Sequence, residues 1–267
     1  MKSAGDILKQ NKLKESKNNN NPVEYGKKYE CPLCQDRGII IEGDSAVPCT
    51  CMQKKKVKNT FKYARLSKEL LKCRFEKFSS DYYLLPGGKD NNHQLNAQKA
   101  YNAALDFVKR VKNNSNEIGL LISGPVGSGK TFLAACIANE LLEKEYKLLF
   151  LIVPDLLDEL KATFNKENSS EFDLLDIARN VPILILDDLG AHNYTEWTKN
   201  RIYSILNYRM NEQLPTVITT NLSFEEIEYF LGERTCSRLL QMCRVFRLSV
   251  PKDIRMQNYE KREGLRP

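Results

Sequence analysis

The rhythm of polar and apolar positions changes several times along the chain. Strand-type runs occur at Ile118 to Ile122, Leu148 to Val153, Val181 to Leu186 and Thr216 to Asn221, with a further strand-like stretch from Val245 to Val250, and Leu148 to Val153 is a continuous apolar run of buried-strand type. Between them lie segments with helical spacing. Ala97, Ala100, Tyr101, Ala104, Val108 and Val111 fall on one stripe, and Ile202, Ile205, Leu206 and Met210 on another, in the segment that holds the only Trp, Trp197. Helices are also predicted for Lys130 to Lys144, Leu156 to Phe164, Phe172 to Arg179, Glu226 to Leu231 and Arg234 to Met242, while the charged tail after Pro251 is expected to fray.

The ends of the strand-type runs carry the chemistry. After the first comes Gly124-Pro125-Val126-Gly127-Ser128-Gly129-Lys130-Thr131, which fits G-x-x-x-x-G-K-[ST] at every fixed position. Glycines let the backbone turn tightly so that its N–H groups point at phosphate oxygens, and the following helix N-terminus adds partial positive charge. Lys130 would hold the β- and γ-phosphates of ATP, and Thr131 would place its hydroxyl on Mg²⁺. The run Val181 to Leu186 ends in Asp187 and Asp188, the Walker B pattern. Its first acid positions Mg²⁺ through water, and its second orients or deprotonates the attacking water. Asn221 closes the next strand and is placed to hydrogen-bond the γ-phosphate or that water, although an Asn before Leu222 and Ser223 also reads as a turn initiator.

Composition divides the chain further. Residues 1–29 are polar and Lys-rich, with the run Asn18 to Asn21, and are expected to form a mobile arm. No export signal or membrane-length apolar segment is read, so a cytoplasmic protein with no membrane partner is inferred, and paired cysteines are read first as metal ligands. Cys31-Pro-Leu-Cys34 and Cys49-Thr-Cys51 flank a hairpin-like stretch, and four thiolates in two close pairs suit tetrahedral Zn²⁺, with free or redox-active thiols as the alternative. Cys73, Cys136, Cys236 and Cys243 read as small buried residues. From Met52 to Phe78 there are ten Lys or Arg against Glu69 and Glu76, which leaves the rest of a +7 chain close to neutral. Apolar residues at partly helical spacing thread through this stretch. It reads either as a solvated helix face or as a surface for nucleic acid or an acidic protein. The expected organisation is an arm at 1–29, a zinc-binding module with the basic helical stretch at 30–80, a linker at 81–92 around Pro86, Gly87 and Gly88, and an ATPase domain at 93–267.

With these residues in place the chain resembles the AAA+ ATPases, and among them the DnaC/DnaI-type helicase loaders. The resemblance runs from about Tyr29 to Arg255 through the Cys pairs, the P-loop, Ile185-Leu-Asp-Asp-Leu-Gly190, Trp197, Asn207-Tyr-Arg209, Ile218-Thr-Thr-Asn221 and Gly232-Glu-Arg-Thr-Cys-Ser-Arg-Leu239. It implies an α/β fold, a P-loop doubly wound parallel sheet with a small N-terminal zinc-binding module. It also implies an ATP site completed by a neighbouring subunit. Ser237-Arg238-Leu239 matches the family's arginine-finger segment, and Arg234, one turn earlier on the same face, would assist.

The implied function is the ATP-dependent loading of a hexameric replicative helicase onto single-stranded DNA, the zinc module gripping the helicase and the ATPase self-associating. Two departures are visible. Asp188 stands where most AAA+ proteins carry Glu, from which slow, switch-like hydrolysis would follow, and too few residues follow Arg238 for a full helical lid. Arg255 is the candidate for a lid-type sensor arginine. The competing readings are an IstB-type transposition ATPase on double-stranded DNA, a zinc-dependent adaptor that binds nucleotide without turnover and, last, a nucleotide kinase.

Overall fold

The structure, a computed structural model, describes residues 29, 31–42, 45–49, 51, 64–85, 91–113, 119–163, 170–190 and 194–264. The expected arm, apart from Tyr29, therefore lies outside the described residues, as do Lys54, Lys55, Lys56, Lys58 and Lys62 and the Pro86-Gly87-Gly88 turn. The chain forms two compact units, Met1–Gln53 and Lys54–Pro267.

In the first unit, β1 (Ile39–Glu42) and β2 (Ser45–Pro48) pair antiparallel, with Ile39 opposite Pro48 and Ile40 opposite Val47. The hairpin returns the chain to its start, and the Cys49 N–H donates to the Gly38 carbonyl at 2.8 Å.

The second unit is built on β3 (Gly119–Ser123), β4 (Leu148–Ile152), β5 (Ile183–Leu189), β6 (Thr216–Thr220) and β7 (Cys243–Arg247), all parallel, in the order β4-β5-β6-β3-β7. Successive strand residues feed two cores, which is why the runs are apolar throughout rather than alternating. Leu120, Ile122, Phe150, Ile183, Ile185 and Val217 join one core with α1 (Asn92–Lys112) and α2 (Lys130–Leu142). Leu121, Leu149, Leu151, Leu184, Leu186 and Ile218 join the other. That second face is covered by α3 (Val153–Thr163), α4 (Ser170–Asn180), α5 (Glu196–Asn211), α6 (Phe224–Leu231) and α7 (Glu233–Met242). The result is the expected doubly wound α/β sheet. Because β3 inserts between β6 and β7, the C-terminal ends of β3, β6 and β5 lie side by side, where such sheets bind ligands. Among the described residues no helix is long and apolar enough to cross a membrane.

Two expectations need correction. The basic stretch is not a separate helical appendage ending near residue 80, because the division between units falls between Gln53 and Lys54. Residues 64–85 run through 3-10 turns at Leu70–Lys72, Phe75–Lys77 and Ser80–Tyr83, and Ala64, Phe75 and Tyr83 are buried in the α1/α2 core. Aromatic contacts fasten them there. Phe75 meets Tyr101 edge-on at 5.7 Å, and Phe78 lies 4.8 Å from Tyr101 and stacks on Tyr83 at 5.5 Å between centroids. The Asn139 side chain donates to the Leu70 and Cys73 carbonyls at 2.8 Å each, so irregular backbone here still finds partners. Three of the cations meet acids, Arg65 on Glu159, Lys72 on Glu69 and Arg74 on Glu143.

The tail after Pro251 also departs from expectation. It folds as α8 (Ile254–Arg262), whose first turn is capped by Asp253 accepting from the Arg255 N–H at 2.7 Å. Buried Gln257 donates to the Lys252 and Tyr82 carbonyls, Lys252 pairs with Glu260, and Lys261 sits 4.7 Å from the Tyr82 ring centre. Charge here fixes a helix instead of solvating a tail.

Candidate functional site

The loop from Gly124 to Gly129 joins β3 to α2 and carries left-handed backbone at Gly127 (φ 72°) and Gly129 (φ 96°). A Cβ on Gly127 would collide with the Asp253 carboxylate, and one on Gly129 would lie 2.9 Å from the Tyr83 hydroxyl, so both glycines are required twice over. Several carbonyls of this loop have donors. Lys130 Nζ donates to Gly124 O at 2.8 Å and Pro125 O at 2.9 Å, the Ile254 N–H to Gly127 O at 3.0 Å, and Tyr83 Oη to Ser128 O at 2.8 Å. Ser128 Oγ is buried without a partner among the described residues.

Lys130 is 7% exposed. Burial lowers its pKa, and the nearby Asp188 and Asp187 carboxylates oppose that effect. Asp187, only 3% exposed, accepts from Thr219 Oγ1 at 2.6 Å and from Thr131 Oγ1 at 3.0 Å. Burial holds its carboxyl above the usual range against those two hydroxyls. Asp188 adopts φ 61°, and the β5–β6 register slips between Leu186 and Leu189, the mark of a bulge. Its N–H donates to Thr219 Oγ1 at 2.9 Å. The bulge turns the second acid toward the cavity that the first acid also lines.

That cavity is about 460 Å³, within the range of small-molecule sites, and Lys130, Thr131, Asp187, Asp188, Asn221 and Arg255 supply its polar wall. Val126, Phe132, Ile152 and Ile254 supply its apolar wall. Asn221 Oδ1 is buried and has no hydrogen-bond partner among the described residues, which marks it as an acceptor left for a ligand. The glycine cradle and the lysine resting on loop carbonyls fit a nucleotide phosphate chain.

The structure thus brings together the residues expected from the P-loop, the acid pair and the β6 end. It does not bring Arg234 or Arg238 to this cavity. Arg234 is exposed on α7, while half-buried Arg238 donates through Nε to Asn207 Oδ1 at 3.0 Å and through Nη1 to Gln241 at 3.3 Å. Sequence reasoning missed Tyr83, Thr219, Phe132, Ile152 and Ile254. Thr219 had a signal, a hydroxyl two residues before the strand-end Asn221. Tyr83 had none.

In the other unit Cys31, Cys34, Cys49 and Cys51 are free, and their sulfurs all lie within 4.8 Å of one another. The Cys31–Cys49 and Cys34–Cys51 separations are 3.8 and 3.3 Å. A tetrahedron with metal–sulfur bonds of about 2.3 Å has edges of about 3.8 Å, so the cluster is close to a metal cage. Burial pushes the Cys34 thiol up, but hydrogen bonds from Cys51 and the Gly38 N–H (3.4 Å) bring it down to about 7, toward the thiolate a metal binds.

A parallel sheet in this strand order, with a P-loop after its β3 strand and adjacent acids at the end of β5, defines a P-loop ATP-binding module of AAA+ type. Residues 55–261 match the family described as IstB-like ATP binding protein, and the chain belongs to that family. It is 38% identical over 125 residues to the replicative helicase loader DnaI of Bacillus subtilis, covering 46% of this chain and 40% of that protein. It is 32% identical over 149 residues to the replicative helicase loader DnaC of Escherichia coli, covering 55% of this chain and 61% of that protein. The chain thus spans about half the length of these curated relatives. A solved structure of DnaI superposes with a TM-score of 0.56 at 28% identity, over 68% of this chain and 94% of that one.

Proposed function

We propose that this chain is an ATP-driven loader that places a hexameric replicative helicase on single-stranded DNA in the cytoplasm, hydrolysing ATP slowly as a switch. One observation carries the reading: the P-loop, the acid pair and an orphaned Asn221 oxygen surround one cavity in a chain whose relatives are named replicative helicase loaders. Backbone donors of Gly124 to Gly129 cradle the phosphates, and Lys130 exchanges its loop carbonyls for the β- and γ-phosphate oxygens. Thr131 and Asp187 would hold Mg²⁺, which supplies charge neutralisation at the phosphates. Asp188 orients the attacking water, and Asn221 accepts from that water through Oδ1 or donates to the γ-phosphate. Arg255, on the cavity wall, reads the phosphates from α8.

Arg238, with Arg234 beside it, acts on the site of a second copy in an ATP-dependent oligomer. Its absence from the lining of its own cavity supports that direction of action. The four cysteines hold zinc and make the hairpin the helicase-gripping module. The family description favours a second reading, a transposition ATPase on double-stranded DNA, but the family match begins at residue 55 and leaves the cysteines outside.

The test uses the tagged full chain and a chain starting at Lys54, each mixed with the host's replicative helicase, ATP and single-stranded DNA. The full chain should capture the helicase and transfer it to DNA with one zinc bound per chain, and the shortened chain should keep ATP turnover and lose capture. Failure of the zinc-loaded full chain to bind helicase would sink the loader reading, and equal capture by the shortened chain would sink the role of the hairpin.

A further inference from the structure

The P-loop is held by two pieces of chain far from it in sequence. Ile254, at the start of α8, donates its N–H to Gly127 O, and Tyr83, at the end of the last 3-10 turn, donates its hydroxyl to Ser128 O. The two pieces are also tied together, since Tyr82 Oη donates to Asn258 Oδ1 at 2.7 Å and Gln257 donates to the Tyr82 carbonyl at 3.3 Å.

The Ser128–Gly129 peptide is the informative one. In a trans peptide the C=O and the N–H point in opposite directions. A Ser128 carbonyl fixed on Tyr83 therefore turns the Gly129 N–H away from Tyr83, toward the cavity that Gly129 lines. Backbone donors in such a loop bind phosphate only when their peptide planes are turned this way before the ligand arrives. Tyr83 is suited to hold the plane. It is 2% exposed, its ring stacks on Phe78, and the missing side chain at Gly129 is what lets the hydroxyl approach.

From this geometry we infer that Tyr83 is a positioning residue for the nucleotide, aiming the Gly129 N–H at a phosphate by holding the Ser128 carbonyl from outside the cavity. The inference rests on the reading of the cavity as a nucleotide site. It also predicts where the effect ends, because the contact bears on phosphate and not on base or ribose.

The test is Tyr83→Phe, which keeps the ring and its stacking and removes only the hydroxyl. A carbonyl that has lost its donor turns to find another, and ligand binding must then restore the plane. ATP and ADP should each bind about tenfold more weakly, a share of the cost of one buried hydrogen bond. Adenosine, measured as a competitor of a fluorescent ATP analogue, should compete as it does against the wild type. Val108→Ala serves as the comparison, a buried truncation in α1 that lowers the melting temperature without reaching the loop. Its ATP affinity should stay unchanged. Unaltered ATP binding in Tyr83→Phe, an equal loss for adenosine, or the same loss in Val108→Ala would each overturn the positioning role. Absence of ATP binding by the wild type would instead overturn the nucleotide-site reading beneath it.

Discussion

Lys130→Ala and Asp188→Asn should separate binding from turnover, and the resting position of Lys130 sets the size of the first effect. With no phosphate present, Nζ donates to the Gly124 and Pro125 carbonyls at 2.8 and 2.9 Å. Nucleotide binding therefore exchanges two contacts of the ammonium with neutral carbonyls for contacts with anionic oxygens, and only the difference appears in affinity. Both sets involve a charged donor, so the difference is the attraction of the opposite charge, on the order of 1 kcal/mol per contact. Two exchanged contacts then contribute about 2 kcal/mol, or roughly 30-fold in Kd. Asp188 has no such part in binding. Its loss should leave Kd within about threefold and lower kcat by about a hundredfold or more, the usual worth of positioned proton-transfer groups. Titration of a fluorescent ATP analogue with Mg²⁺, beside steady-state phosphate release, measures both quantities on the same preparations. Equal loss of affinity in the two variants would refute the division of labour.

Two further outcomes are expected. Burial raises the pKa of Asp187, so the stability this group contributes is full below its unfolded value and is lost as pH rises through the raised folded value. At pH 7.5, Asp187→Asn should therefore raise the nucleotide-free Tm, by about 2–4 °C per kcal/mol relieved, while abolishing the further rise on adding Mg²⁺ and ATP. A lower Tm with the Mg-ATP rise intact would contradict this. Arg238→Ala should bind ATP and turn it over about a thousandfold more slowly, and mixing it with Lys130→Ala should restore part of the activity, since an arginine acting in trans completes one intact site. No recovery in a demonstrably mixed oligomer would place Arg238 in its own site or in none.

What was legible in the sequence was whatever local pattern determines. The strand runs, the glycine loop and the acids at a strand end are contiguous in sequence, and one parallel sheet carries each to the same edge. What was not legible depends on contacts between distant segments. Nothing near Tyr83 announces that its hydroxyl will meet Ser128, and α8 looked like a charged tail because its stabilising partners are Gly127 and Tyr82. The turn signal at residues 86–88 could not tell a domain boundary from a loop. Phe75 and Phe78 decide that question by packing on Tyr101, with Tyr83 stacked on Phe78. The bulge at Asp188 was hidden for the same reason, since it exists only against the register of β6.

Under the proposed reading that bulge bears on the rate of hydrolysis. An aspartate reaches less far than a glutamate by one methylene, and the left-handed backbone at Asp188 aims its side chain without lengthening it. Thr219 ties the two acids together, donating to Asp187 Oδ1 at 2.6 Å while accepting from the Asp188 N–H at 2.9 Å. A movement of Asp188 toward a water therefore pulls on the hydroxyl that satisfies the buried Asp187 carboxylate. Loosening that hydroxyl leaves the carboxylate short of a donor, which is costly at 3% exposure. The site is in consequence built to hold its acid pair in one arrangement, with Asp188 short and its backbone fixed. Under the proposed reading such a centre would hydrolyse ATP slowly, so that bound nucleotide marks a state and hydrolysis ends it.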